Sequence, residues 1–257
     1  MPANLAQLYE AVIPWEKRLR REMPLLAELA RSAGRHVLVP ACGTGGHFVA
    51  LAELGFHACG FDVDEDALAL AREKTAARQP AICAAHGEAR LARLAMEQAY
   101  ELGPTHDAAF CLGNALPGLS EPGQLSAALR AIAGALRPGG ILLTQNLNYD
   151  RRWREKARLF PLLAGETLEE EVLLVKFADY EADCINFHAM FLTRPKCGGV
   201  WQSQARSSRQ IPLFRDLLLG LLSQAGFSDF VCWGDYAKSP FDEATSPDLI
   251  IVAEKGP

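Results

Sequence analysis

The chain has 257 residues, of which 49% are apolar and 22% charged, with a net charge of −5. That length suits one large α/β domain or a domain with an inserted cap. The acidic balance argues against nucleic acid as the main partner, since phosphate binding shows as a basic face. No apolar run reaches the length of a membrane span. The segment MPANLAQLYEAVIPWEKRLRRE is polar and mixed in charge. It lacks the apolar core of a secretory signal, so the chain reads as cytoplasmic.

In chain order, residues 4–12 and 15–31 read as helices. The second carries Leu19, Met23, Leu26, Leu29 and Ala30 at helical spacing and stops at Gly34. From 36 onward, short apolar strands alternate with helices. Strands are expected over 36–41, 56–62, 81–84, 107–113 and 141–147, and helices over 45–54, 65–78, 89–100 and 121–136. That rhythm implies a doubly wound, mostly parallel sheet, covered by helices on both faces.

After 150 the rhythm changes. Residues 151–159 are charged and helical, and 168–210 read as consecutive strands, which implies antiparallel pairing. A helix over 213–226, ended by Gly226, and two final strands would complete an antiparallel sheet edge. The expected division is a helical N-terminal lid (1–35), a ligand-binding core (36–150), an inserted β-rich lid (151–211) and a C-terminal part completing the core sheet (212–257).

The seven cysteines include no Cys-x-x-Cys, so no zinc or other metal site is expected. They read as reduced thiols, mostly buried.

The segment VLVPACGTGGH (37–47) points to a ligand. In an open parallel sheet the ligand lies beyond the carboxyl ends of the strands, where strand order reverses. Glycines between the first strand and its helix let a ligand touch the main chain, and the helix N-terminus offers free N–H groups. Asp62 ends the second strand in GFDVDEDAL, about twenty residues on, where a carboxylate can accept from a ribose diol. Asp64 reads as the cap of the next helix. A nucleoside-containing ligand follows.

NAD(P) is the rival. Its fingerprint needs a third glycine where Phe48 stands. The residues four places after Tyr9, Tyr100, Tyr149, Tyr180 and Tyr236 include no lysine, so a short-chain dehydrogenase pair is missing. No Gly-Lys-Ser/Thr follows the glycines, which excludes a Walker loop.

VLVPACGTGG, GFDVDEDAL, GEA, DAAFCLGNALPGL and LRPGGILLTQNLNYD stand in order over 36–150. Together they resemble the class I S-adenosylmethionine-dependent methyltransferases, and the glycine/sarcosine N-methyltransferase-like branch in particular. The resemblance implies a seven-stranded Rossmann-like sheet with an antiparallel edge. It implies S-adenosylmethionine as cofactor and methyl transfer to a small molecule, at nitrogen in preference to oxygen. Ala41, Cys42, Gly43 and Gly45 would lie under the methionine part of the cofactor. Asp62 would take the ribose, Val63 the adenine face, Glu88 and Ala89 the adenine edge, and Cys111 and Leu112 the cofactor amine. Asn114, Asn148 and Tyr149 would face the reacting methyl. Tyr9, Trp15 and Arg18 resemble N-terminal elements that fold over the cofactor, often across a subunit boundary, which implies a homo-oligomer.

Two departures stand out. The acidic residue often found in the first strand is replaced by Val39 or Pro40. The arginine that grips a carboxylate before Asn-Tyr-Asp is Leu147 here, with Arg209 in the lid as a candidate substitute. An NAD-dependent oxidoreductase and a non-catalytic cofactor-binding module are the competing functions.

Overall fold

A computed structural model describes residues 3–257. Two helices open the chain, α1 (Leu5–Val12) and α2 (Trp15–Ala33). Asn4 caps α1: its side chain accepts from Gln7 N–H while the Gln7 side chain returns to Asn4 N–H. The core then runs β1 (His36–Pro40), α3 (Gly46–Glu53), β2 (His57–Asp62), α4 (Glu65–Ala84), β3 (Glu88–Arg93), β4 (His106–Cys111), α5 (Gln124–Ala135) and β5 (Leu136–Leu147). After α6 (Tyr149–Glu155) come β6 (Leu163–Glu166), β7 (Glu170–Tyr180), β8 (Ile185–Pro195) and β9 (Gln202–Gln210). The chain closes with α7 (Arg215–Gln224), β10 (Phe227–Trp233) and β11 (Asp248–Lys255).

The seven-stranded sheet has the order β10-β11-β5-β4-β1-β2-β3. β1 to β5 are parallel, and β11 joins β5 antiparallel, with β10 outside it. This is the Rossmann-like sheet with an antiparallel edge that the sequence implies. The chain leaves β1 toward β2 on one side, while β4 lies on the other. The loops after β1 and β4 therefore part, and a crevice opens between them.

Apolar layers fill both faces. Leu129, Ile132, Leu218 and Leu222 of α5 and α7 pack with Leu142, Leu249 and Ile251 on one face. Leu26, Phe48 and Leu51 of α2 and α3 pack with Val37, Val39, Phe110 and Ile250 on the other. Each such side chain stabilises the fold by roughly 1.5–3 kcal/mol. Phe48 is fully buried and leans on Gly60 of β2, where a Cβ would lie only 3.0 Å from the ring.

The strands of the lid form a separate four-stranded antiparallel sheet, β6-β7-β8-β9. α1 packs on its β6 edge so closely that a Cβ on Gly165 would lie 1.9 Å from the Ala11 carbonyl oxygen. Among the described residues no helix is long and apolar enough to cross a membrane.

Residues 81–84 are not a strand, and of 89–100 only the end is helical, a 3-10 helix over Met96–Leu102. α4 continues to Ala84, and β3 follows at Glu88–Arg93, paired with β2 in the register His57 to Glu88 through Asp62 to Arg93. Asp64 caps α4, and Ala67, Leu68, Ala71 and Ile82 share its buried face. Ala71 and Ile82 are three helical turns apart. Pro80 lies inside the helix on its solvent side rather than ending it. In β3 charged and apolar residues alternate, as suits an edge strand. Helix-forming Glu, Ala, Leu and Arg hide that period in the sequence. The same extension of α4 leaves Cys83 exposed, as Cys197 is; all seven cysteines are free thiols.

Candidate active site

The loop after β1 is shaped by backbone needs. Ala41, Gly43 and Gly45 all have positive φ, at 49°, 54° and 83°. A Cβ on Gly43 would meet no atom within 4 Å, so the space above it is open. Gly45 turns the other way: a Cβ there would lie 2.9 Å from the Ala71 Cβ of α4. Gly46 supports the Trp15 ring, which leaves no room for a side chain. The Cys42 thiol is pushed up to about 12 by burial and by the nearby Asp62 charge, and stays a neutral wall group.

Asp62 is anchored. Its Oδ2 accepts from Gly43 N–H at 2.8 Å and its Oδ1 from Asp64 N–H at 3.0 Å. Each oxygen keeps a further lone pair for a diol. Asp64 takes the helix-cap role, accepting from the N–H groups of Asp66 and Ala67. Val63, at the tip of β2, is 60% exposed, an apolar platform beside Asp62.

α1 and α2 roof this loop. Glu10 accepts from Trp15 Nε1 at 2.8 Å and from Thr44 Oγ1 at 2.6 Å, and it pairs with Lys74 at 2.6 Å. Trp15, Arg18, Ala41, Cys42, Gly43, Thr44 and Leu112 line a cavity of about 120 Å³, together with Tyr9 and Gly113. Arg18 Nη2 would lie 3.4 Å from a Cβ on Gly113. Tyr9, Arg18 and Gly113 are also walls of a second cavity, of about 370 Å³, with Asn114, Gln145, Leu147, Phe160 and Asp248. A third space, also about 370 Å³, lies between Gly43, Asp62 and the lid face carrying Lys176, Phe187 and Arg206. Tyr9 and Arg18 both reach the cleft of their own chain.

A buried charge cluster holds Arg18. Both oxygens of Glu22 bind Arg18 Nε, at 3.1 and 3.2 Å, and Arg21 and His47 Nε2 add bonds at 2.7 and 2.6 Å. Burial alone would raise the Glu22 pKa, but the His47 hydrogen bond and the arginine charges hold it down at about 2. Burial lowers His47, so the neutral ring donates to Glu22. His47 also forms part of the wall of the cleft.

Asn114 follows β4 at φ 62° and lines the second cavity. Its Oδ1 accepts from Leu147 N–H at 3.0 Å, and its Nδ2 donates to the Tyr149 hydroxyl at 2.9 Å. Tyr149 is 1% exposed, and its hydroxyl donates to Gln210 Oε1 at 3.0 Å. Burial pushes it up to about 12. Tyr149 therefore positions Asn114 and Gln210 rather than touching the cavity itself.

Glu88, Ala89, Asn148 and Arg209 lie away from the places the sequence implies. Glu88 and Ala89 begin β3 at the amino end of the sheet, beside His57 and Ala58; Glu88 lines a cavity with His36, His57 and His106, and Ala89 packs on the apolar layer of α2 and α3. They are at the wrong end for an adenine, because the strand they were expected to follow is helix. At the carboxyl end of β3, Leu94 N–H bonds the Asp62 carbonyl, so Leu94 and Ala95 flank that position. Asn148 is fully buried: its Oδ1 caps α6 through Arg151 N–H, and its Nδ2 donates to the carbonyls of Asp242, Glu243 and Ser246. It latches a loop and cannot face a substrate. Asp150 likewise accepts from Arg215 N–H. Arg209 lies on the outer face of the lid, paired with Asp183. Cys111, at the end of β4, is buried at 1% exposure beneath the cleft and contributes main chain only.

The open space over Gly43, the anchored carboxylate of Asp62 and the N-terminus of α3 fit an adenosyl group with an amino-acid tail. Residues 37–140 match the family model described as "Methyltransferase domain". Over these residues the chain carries a class I S-adenosylmethionine-dependent methyltransferase domain. This methyltransferase is 25% identical over 256 residues to glycine/sarcosine N-methyltransferase of Aphanothece halophytica, across 98% of this chain and 88% of the relative. It is 30% identical over 149 residues to dTDP-3-amino-3,6-dideoxy-alpha-D-glucopyranose N,N-dimethyltransferase of Streptomyces fradiae, across 55% of this chain and 52% of that protein. The sugar N-methyltransferase of a Streptoalloteichus species has the same fold, with a TM-score of 0.73 at 19% identity, over 100% of this chain and 96% of that one.

Sequence reasoning missed Trp15's partner Glu10 and its bond to Thr44, the Glu22 cluster, Asp248 and Lys176. Glu22 could have been found, since a charged residue on the apolar face of an amphipathic helix is a signal for a buried network. Lys176 had no such signal.

Proposed function

We propose that this methyltransferase moves the methyl group of S-adenosylmethionine to a nitrogen of a small molecule held in the cavity beside Asn114. The observation that carries this reading is the shared wall: Tyr9, Arg18 and Gly113 border both the cavity over the glycine loop and the larger one beyond it. A donor and an acceptor placed in the two would meet at those residues. The relatives named above methylate nitrogen in glycine, sarcosine and an amino sugar, which supports nitrogen over oxygen.

In this reading Asp62 accepts from the ribose and Val63 packs on the adenine. Ala41 and Leu112 offer main-chain carbonyls to the ammonium, and Arg18 meets the carboxylate. When bound, the cofactor supplies a sulfonium methyl that is already electrophilic. The chain's task is alignment and exclusion of water. Trp15, Tyr9 and the lid close over the crevice to do this.

An amine must lose a proton before or during attack. Glu22 is fully engaged and its pKa is about 2, so it cannot take one. Asp248 is the better acceptor. It lines the larger cavity, burial raises its pKa, and only its Oδ1 is engaged, by Gln145 Nε2 at 2.9 Å. Leu147 lines the same cavity and cannot hold a carboxylate, which disfavours glycine itself.

The test is calorimetry and turnover together. S-adenosylhomocysteine binds and NAD does not, and Asp62→Ala weakens S-adenosylhomocysteine about 100-fold, as the loss of charge-assisted hydrogen bonds requires. Methyl transfer to members of an amine panel supports the reading. Binding without transfer to any amine or alcohol favours a non-catalytic module, and NAD binding would restore the oxidoreductase alternative.

A further inference from the structure

Three strands of the lid place two cations in one row. Lys176 of β7 pairs with Ala189 of β8, and Ala189 pairs with Arg206 of β9. Residues in register on neighbouring strands point to the same face. Here that face looks into the crevice, because all three residues line the space above Gly43 and Asp62. Strands spaced about 4.8 Å apart put the two cationic residues roughly 10 Å apart at the backbone. The small Ala189 between them leaves a gap into which both long side chains can bend.

Within β7 to β9 and their turns these two cations stand apart from the others. Arg194, Lys196 and Arg209 each pair with a carboxylate. Lys176 and Arg206 pair with none among the described residues. Lys176 is also half-buried and lines the second cavity beside Asn114 and Asp248. Burial and the charges of Arg18 and Arg152 both disfavour its ammonium. A half-buried, unpaired ammonium near other cations is costly unless an anion meets it. The carboxylates across the same space, Asp62 and Asp64, are engaged by main-chain N–H groups and not by these cations.

We propose that Lys176 and Arg206 grip an anionic group, a carboxylate or a phosphate, carried by the methyl acceptor. The proposal rests on the methyl-transfer reading above and narrows its substrate class to amines with an anionic tail. Lys176 borders both the space over Gly43 and the cavity beside Asn114. It can therefore hold the tail while the amine reaches the transfer point. Ser208 and Gln210, on the same face of β9, offer neutral hydrogen bonds to the same group.

The probes are 4-aminobutyrate, 3-aminopropyl phosphate and butylamine, titrated by calorimetry into protein saturated with S-adenosylhomocysteine. The anionic amines should bind at least tenfold tighter than butylamine. That preference should collapse in Lys176→Met and Arg206→Met and partly return in Lys176→Arg. The tighter of the two anionic probes identifies the group. S-adenosylhomocysteine affinity should stay within about twofold in every variant. A native chain without preference, or a preference that survives both methionine variants, overturns the proposal. A large fall in S-adenosylhomocysteine affinity also overturns it, because the cations would then serve the cofactor. A preference that is present and sensitive to the variants supports the anion site even if no amine is methylated, and only the transfer reading then fails.

Discussion

Single residues divide sharply between those that bear charge for the fold and those that bear it for the site. Glu22 is buried among Arg18, Arg21 and His47, with its pKa at about 2 against an ordinary 4.5. A carboxyl held below its unfolded value stabilises the fold fully above about 4.5, and that contribution fades as pH falls toward 2. Glu22→Gln should therefore cost roughly 3–5 kcal/mol at neutral pH, as breaking a buried ion cluster does. Urea denaturation at pH 7 and pH 3.5 checks this: the gap between native and variant chains should narrow at the lower pH. Asp248 is the opposite case. Burial raises its pKa, so it is a better proton acceptor than an exposed aspartate. The rate of an amine reaction should climb with pH through that raised value. Asp248→Asn should remove this limb of the kcat/KM profile and lower kcat about 10²-fold or more, with S-adenosylhomocysteine affinity retained. An unchanged profile would discharge Asp248 from that role.

At the scale of elements, what could be read from the sequence depended on whether local pattern or long-range pairing decided the outcome. The glycine loop and Asp62 were legible because main-chain shape needs glycine there, and the carboxylate stands at a fixed place after it. β3 was not, because an edge strand of Glu, Ala, Arg and Leu carries helix-forming residues and is defined by its pairing with β2. That one misreading misplaced Glu88 and Ala89 by the whole depth of the sheet. Asn148 looked like a rim residue but serves as cap and latch; only the return of the 242–246 loop could show it. The Lys176–Ala189–Arg206 row needs a register across three strands, which no local period encodes. Contact between elements is similarly hidden. Gly165 gives no sequence signal, yet a Cβ there would press 1.9 Å from the Ala11 carbonyl oxygen. Gly165→Ala should push α1 off β6, cost about 1–3 kcal/mol as overpacking does and weaken S-adenosylhomocysteine through displaced Tyr9 and Glu10. Thermal melting and calorimetry on the same variant would show both effects; a lower melting point with unchanged affinity would mean that α1 does not roof the site.

Across the whole molecule, the parts over the crevice are held more lightly than the parts beneath it. β1 and β4 are central strands and nearly fully buried. The roof is α1, with Leu8 and Val12 packed on Val172, Leu174 and Phe191 of the lid sheet in a small cluster separate from the two main apolar layers. Its tie to the core runs through Glu10, which binds Thr44 and Lys74. Such a satellite opens at lower free energy than the core. The cofactor crevice is walled by roof and core together, since Tyr9 and Trp15 face Ala41, Gly43 and Thr44 across it. A ligand touching both sides makes roof opening cost its own binding energy as well. S-adenosylhomocysteine should therefore slow amide hydrogen exchange in α1 and along β7 to β9, by 10-fold or more at saturating ligand, and leave β1 and β4 unchanged. Lys74→Met, which removes the bonds of Lys74 to Glu10 and to Thr44, should speed exchange in α1 of the free protein and leave the lid strands far from it unaffected. Uniform protection across the sheet on adding the ligand would instead mean that roof and core open as one unit.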